Sequence, residues 1–333
     1  MTIAPEVEIP PPDRMHEDTC RCPATTGVRG DEERWAREEE VAMPYYVTDD
    51  HVRLYYEVRG KGRPVVLIHG LTANRRHFRK QTPELSGEFQ VVTLDLRGHG
   101  DSEAPEHGLT LPRLARDLRE LMEYLELKDL SVVGWSLGAH VIFEYVKQYS
   151  CRGIAKVAVI DMAPRLLKAP DWPWGLPGVF SRKTGDFGPE DNLVMLGAML
   201  GDWEAYSRIV AQRILNKSLF DDRMEFDDRG DFKGKADLPW LYAEARRNTP
   251  HVIIALWISL SLQDYRPVLK EITAPCLLAY GMESNYYPPE NYAFMAEAMP
   301  RARTVSFAGC GHALHIQDPE RFNRELIDFL REE

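Results

Sequence analysis

The sequence predicts an α/β fold, a mostly parallel, twisted sheet flanked by helices and interrupted by an inserted helical cap. Three observations predict the sheet and its interruption. Five continuous apolar runs read as strands buried on both faces: PVVLIHG (64–70), FQVVTLDL (89–96), DLSVVGW (129–135), IAKVAVID (154–161) and PCLLAYG (275–281). Helical patterns separate most of them, and right-handed crossovers turn such alternation into a parallel sheet. One interval, residues 163–265, is far longer than an ordinary crossover.

In chain order, residues 1–42 stand apart from the rest. They are proline-rich, then charged, with eleven acidic against five basic residues. That composition predicts a largely irregular N-terminal extension with one short helix near Trp35. The core then runs over 43–162 and 266–333. YYVTDDHVRLYYEVRG (45–60) alternates around a polar turn, as an antiparallel hairpin does. RRHFRKQTPELS (75–86), LPRLARDLRELMEYLEL (111–127) and LGAHVIFEYVKQY (137–149) read as helices between strands, and PENYAFMAEAM (289–299) and DPERFNRELIDFLREE (318–333) as the closing ones. Within the interval, PEDNLVMLGAMLGDWEAYSRIVAQRIL (189–215) and PWLYAEARRNTPHVIIALWISLSLQDY (239–265) are helical, separated by the charged stretch DDRMEFDDRGDFKGKAD. We read 163–265 as a helical cap at the C-terminal edge of the sheet, where α/β folds place their ligands.

Bulk properties narrow the function. The longest apolar run, VIIALWISLSL (252–262), is short of the roughly 20 residues of a membrane span and reads as a buried helix. The first residues have neither a basic n-region nor an apolar h-region, so a cytoplasmic location is expected. Five scattered cysteines, Cys20, Cys22, Cys151, Cys276 and Cys310, predict free thiols, and no spacing predicts a metal site. A net charge of −11 argues against nucleic-acid or membrane partners and favours a small-molecule substrate; a homo-oligomer stays open.

The chemistry concentrates on VVGWSLGAHV (132–141). Gly134-Trp135-Ser136-Leu137-Gly138 follows a buried strand and opens a helix, the setting in which G-x-S-x-G forms a nucleophile elbow. Glycines at 134 and 138 relieve collisions across the strained turn. A serine hydroxyl needs a base to take its proton, and GCGHALH (309–315) offers His312 on a loop before the last helix. His315 reads as a packed neighbour. Cys310, close to the base, lacks an elbow. The developing oxyanion needs two N–H donors, and the backbones of Leu137 and of Leu71, after PVVLIHG, are placed to supply them. His69 reads as a brace of that loop or a substrate contact.

IHGLT, DLRGHGDS, GWSLGAH and GCGHALHIQDPERFN, in this order, resemble the α/β-hydrolase fold family over roughly residues 43–333. The resemblance implies a serine hydrolase without a cofactor, and a structural turn at RGHGDS that contains His99 and Asp101. It also implies an acid to orient His312. In much of the family an aspartate stands three residues after the glycine of the strand read here as PCLLAYG, but that position holds Ser284. Asp161, ending IAKVAVID where a minority of relatives place the acid, is the expected replacement, with Glu283 as the alternative and Asp264 behind both. Ser284 is then a support.

Five of seven tryptophans, Trp172, Trp174, Trp203, Trp240 and Trp257, fall in the cap beside Phe180, Met195 and Met199. They build its core and line an apolar cleft, with Trp172 and Trp174 expected to touch substrate, as are Trp135 and Ser284. The expected activity is hydrolysis of a carboxylic ester, apolar acyl or aromatic, or of a lactone, through an acyl-enzyme. C–C, amide or thioester cleavage and perhydrolysis use the same groups, and a non-catalytic ligand receptor is the rival from another class.

Overall fold

The structure, a computed structural model, describes residues 45–176, 189–215, 225–226, 232–233 and 237–332. The expected extension 1–42, Cys20, Cys22, Phe180 and most of the charged stretch after 220 lie outside the described residues.

Eight strands form one sheet in the order β1-β2-β4-β3-β5-β6-β9-β10. They are β1 Tyr45–Val47, β2 Arg53–Arg59, β3 Pro64–Ile68, β4 Gln90–Leu94, β5 Leu130–Trp135, β6 Ile154–Ile160, β9 Cys276–Gly281 and β10 Ala302–Phe307. The first two run antiparallel to their neighbours and the remaining six are parallel. Alternation along the parallel strands divides the core in two. Val66, Ile68, Val132, Val157 and Leu278 pack on one face; Val65, Leu67, Val133, Ala158 and Leu277 pack on the other. Because both faces are buried, the inner parallel strands read as apolar runs, whereas the edge strand β10, ARTVSF, is partly exposed.

Helices α2 Leu111–Tyr124, α3 Leu137–Tyr149 and α8 Pro289–Ala298 cover the first face, and α10 Pro319–Arg331 covers the second. The helix expected over 75–86 is instead a 3-10 turn, Arg75–Phe78, and a short α1, Thr82–Leu85. Asn74 caps the first, accepting from the Arg76 N–H, and the segment's apolar residues Phe78 and Leu85 still reach the core. The RGHGDS turn is structural: Arg97, fully buried, pairs with Asp117 and Asp50, while Asp101 and the buried Asp95 hold Arg75.

Between β6 and β9 the chain makes helices α4 Pro189–Gly201, α5 Trp203–Ile214, α6 Asp237–Arg246 and α7 Pro250–Ser261, with a two-residue ladder between β7 Glu225–Phe226 and β8 Phe232–Lys233. Each of the two long helical stretches read from the sequence is therefore broken: Asp202 stops the first and caps α5 by accepting from the Ala205 N–H, and Pro250 starts α7. Arg165 and Asp264 form an isolated antiparallel bridge, so the segment leaves and rejoins the core at one point. VIIALWISLSL lies largely in α7, but Ile258 and Leu262 are exposed, so the run is buried on one side only. No helix among the described residues is long and apolar enough to cross a membrane. Short α9, Leu314–Gln317, follows the loop after β10.

Candidate active site

The C-terminal ends of β3, β5, β6 and β10 converge on one cavity of about 70 Å³. Among the described residues seven non-glycine residues have positive φ, and three of them, Thr72, Ser136 and Asp161, stand just after β3, β5 and β6. Such backbone is costly and persists only where its surroundings over-determine it.

Ser136 caps α3 with φ 53° and ψ −118°, pinned because its N–H donates to Ile160 O at 3.1 Å and its carbonyl accepts from Ala139 N–H at 2.9 Å. The two glycines act differently. A Cβ on Gly134 would lie 2.5 Å from the Gly138 carbonyl carbon, across the turn. A Cβ on Gly138 would meet Ile68 O at 2.1 Å, so this glycine serves the approach of α3 to the end of β3 rather than the turn itself.

His312 lines the same cavity as Ser136. Its Nδ1 lies 2.6 Å from Asp161 Oδ2, and Trp135 Nε1 donates to its carbonyl at 2.9 Å. With Nδ1–H donating to the carboxylate, Nε2 is left as the basic nitrogen. The Tyr286 ring stacks on the imidazole with centroids 4.1 Å apart. Asp161 is fully buried and accepts four hydrogen bonds: from His312, from Ser284 Oγ at 2.7 Å, from Tyr292 OH at 2.8 Å and from Gly281 N–H at 3.2 Å. A buried carboxylate is tolerated only with such partners. Burial, first, and the charge of Asp161 push the Tyr292 phenol well above its ordinary range, so it stays a donor.

Glu283, the alternative acid, is exposed, and Asp264 pairs with Arg165 and Arg266. Neither is placed against His312. Ser284 supports the carboxylate rather than touching substrate, a correction to its expected contact. Leu71 and Leu137 flank Ser136 at the end of β3 and the start of α3. Among the described residues neither N–H donates to a backbone carbonyl.

Three of the residues named as substrate contacts, His69, Trp172 and Trp174, are not in the cavity lining. His69 is fully buried; its Nε2 accepts from Leu96 N–H at 2.9 Å, so Nδ1 donates to Gly70 O at 2.8 Å, and burial lowers its pKa to about 4. It is a neutral brace. Trp172 and Trp174 lie outside the cavity lining; Trp172 packs edge-to-face on Trp174 and on Phe294, and Trp174 meets Phe294 at a tilt. Trp172 is fully buried, donates to Arg165 O at 2.9 Å and joins the main apolar core on the first face of the sheet. Trp135 does line the cavity while packing between His77, His312 and His315. His315 is a fully buried neighbour whose pKa burial drives well below the usual range.

The rest of the lining is mostly apolar: Met162 and Leu166 from the segment's entry, Met195 from α4, Tyr206, Ile209, Val210 and Ile214 from α5, and Trp257 and Leu260 from α7. Sequence reasoning missed Tyr286, Tyr292 and Arg213. The last carried a signal: it falls four residues after Ile209 and three after Val210, on the same helix face.

The arrangement of hydroxyl, imidazole and carboxylate is that of an acyl-transfer site, in the chain order serine, acid, histidine. Comparison with known proteins agrees in kind. The sequence model of the family described as "alpha/beta hydrolase fold" matches residues 63–319. A pimeloyl-acyl-carrier-protein methyl ester esterase of Nitrosomonas europaea is 27% identical, over 81% of this chain and 96% of its own. A non-heme chloroperoxidase of Streptomyces lividans is 26% identical over 87% of this chain and 100% of its own. Among solved structures, an esterase from Exiguobacterium antarcticum shares the fold with a TM-score of 0.75 at 21% identity, covering 86% of this chain and 99% of that one.

Proposed function

The chain belongs to the alpha/beta hydrolase fold family, and from that premise we propose that it is a cytoplasmic serine esterase. It cleaves a carboxylic ester or lactone with an apolar or aromatic acyl part. Ser136 Oγ attacks the carbonyl carbon as His312 Nε2 takes its proton, and Asp161 holds the imidazole and balances its charge. The N–H groups of Leu71 and Leu137 receive the oxyanion. His312 then returns the proton to the leaving alcohol, and water, deprotonated by the same nitrogen, releases the acid. Residues 163–265 serve as the cap that supplies most of the apolar wall and keeps the acyl-enzyme from bulk water.

The observation that carries this reading is the 2.6 Å contact between His312 and a fully buried Asp161, beside the cavity that Ser136 lines. The test is intact-mass measurement after a fluorophosphonate probe. One adduct is expected on the wild type and none on Ser136→Ala; an unlabelled wild type would favour a non-catalytic receptor. A panel of p-nitrophenyl esters, lactones and amides then sorts the bond types. The likeness to a chloroperoxidase favours a second reading, in which hydrogen peroxide replaces water at the acyl-enzyme and releases a peroxy acid.

A further inference from the structure

We propose that Arg213 is a specificity-determining residue, receiving a carboxylate carried by the substrate away from the scissile bond. The inference rests on the esterase reading for the identity of that bond.

Arg213 projects from α5 into the lining of a cavity whose other walls are chiefly Leu, Ile, Val, Met and aromatic side chains. Among the described residues no carboxylate lies within ion-pair distance of it. Among the described residues its one hydrogen bond goes from Nη2 to Asn285 O at 3.4 Å, and its Cζ lies 5.0 Å from the Tyr286 ring centroid. A guanidinium has five N–H donors, so most of its capacity is uncommitted. The well-covered arginines contrast with this half-buried one: Arg75, Arg97 and Arg113 all contact two or more carboxylates. A half-buried cation at the cavity wall, with no counter-charge among the described residues, can take an incoming anion without first breaking an ion pair.

Its placement selects the ligand. Tyr286 stacks on His312, so Arg213 stands one ring away from the reacting centre and is steadied by that ring and the Asn285 carbonyl. An anionic group bound there belongs to the same small molecule whose ester sits at Ser136. The guanidinium fork matches a carboxylate. A single cation in a chain of net charge −11 suits a monoanion rather than a doubly charged phosphate.

The experiment compares kcat/KM for monomethyl esters of the dicarboxylic acids from succinate to suberate with the neutral methyl alkanoates of equal length. The wild type is expected to prefer the acidic member at one or two lengths. Arg213→Gln lowers that preference ratio roughly 10- to 100-fold, the range of one charged hydrogen-bonded contact, and Arg213→Lys retains part of it. A ratio unaltered by Arg213→Gln at every length, or a wild type that prefers the neutral esters throughout, overturns the proposal. A second arm needs no turnover: titration calorimetry of the free dicarboxylates with Ser136→Ala, and with Ser136→Ala/Arg213→Gln. Heat in the first only supports the carboxylate site even if no ester is cleaved, in which case the esterase reading alone falls. Heat in neither removes the proposal.

Discussion

At the strand ends, Asp161 is fully buried with four donors on its two oxygens, and His69 uses both ring nitrogens. On α4, by contrast, Leu193, Val194 and Leu200 are more than half exposed, and the segment contributes mainly apolar side chains to the cavity. One region is fixed by directional bonds and by close approaches that only glycine permits; the other is held by contacts that tolerate exchange of one alkyl group for another. On the proposed reading, the sheet fixes the chemistry and the helices are left to choose the substrate.

That contrast sets the order of effects. Asp161→Asn removes the charge while keeping the shape, and turnover of the best ester is expected to fall about 10⁴-fold, against less than twofold for the exposed Glu283→Gln. Steady-state rates on one ester check this, and the reverse ranking would move the acid to the later loop. Ile209→Ala, in the half-buried lining of α5, should change kcat little on the preferred ester. It should shift relative kcat/KM toward chains one or two carbons longer by about tenfold, the worth of a methylene or so in an apolar pocket. A chain-length series reads it out. If Ile209→Ala cost turnover as much as Asp161→Asn, the division between the two regions would be lost.

The same division explains what was legible in the sequence. Buried parallel strands must be apolar throughout, so all five such runs predicted their strands. Gly134 and Gly138 announced the elbow because no other residue fits there. The position of the acid was harder: Ser284 stands where much of the family has aspartate, and only the fold brings its hydroxyl 2.7 Å from a carboxylate 123 residues earlier. Tyr292 and Tyr286 carried no local signal, since a tyrosine on a helix or a loop reads as packing. In the segment between β6 and β9, large aromatics served several purposes alike. Trp172 and Trp174 pack into the main core away from the cavity, whereas Trp257 reaches it, and composition does not distinguish them.

The brace provided by His69 has a further consequence, for acid lability. Its pKa of about 4 in the fold means that it stays neutral there, while in the unfolded chain it takes up a proton near 6.5. Below about 6.5 the unfolded chain therefore holds more protons, and folding free energy drains away as pH falls to about 4, by on the order of 3 kcal/mol for this side chain. His140, also near 4 through burial, drains over the same window, and above it neither contributes a slope. Melting temperatures should be level from pH 8 to 7 and drop steadily from pH 6.5 to 5; a flat profile down to pH 5 would contradict this. A protein braced by uncharged imidazoles is in effect tuned to neutral pH.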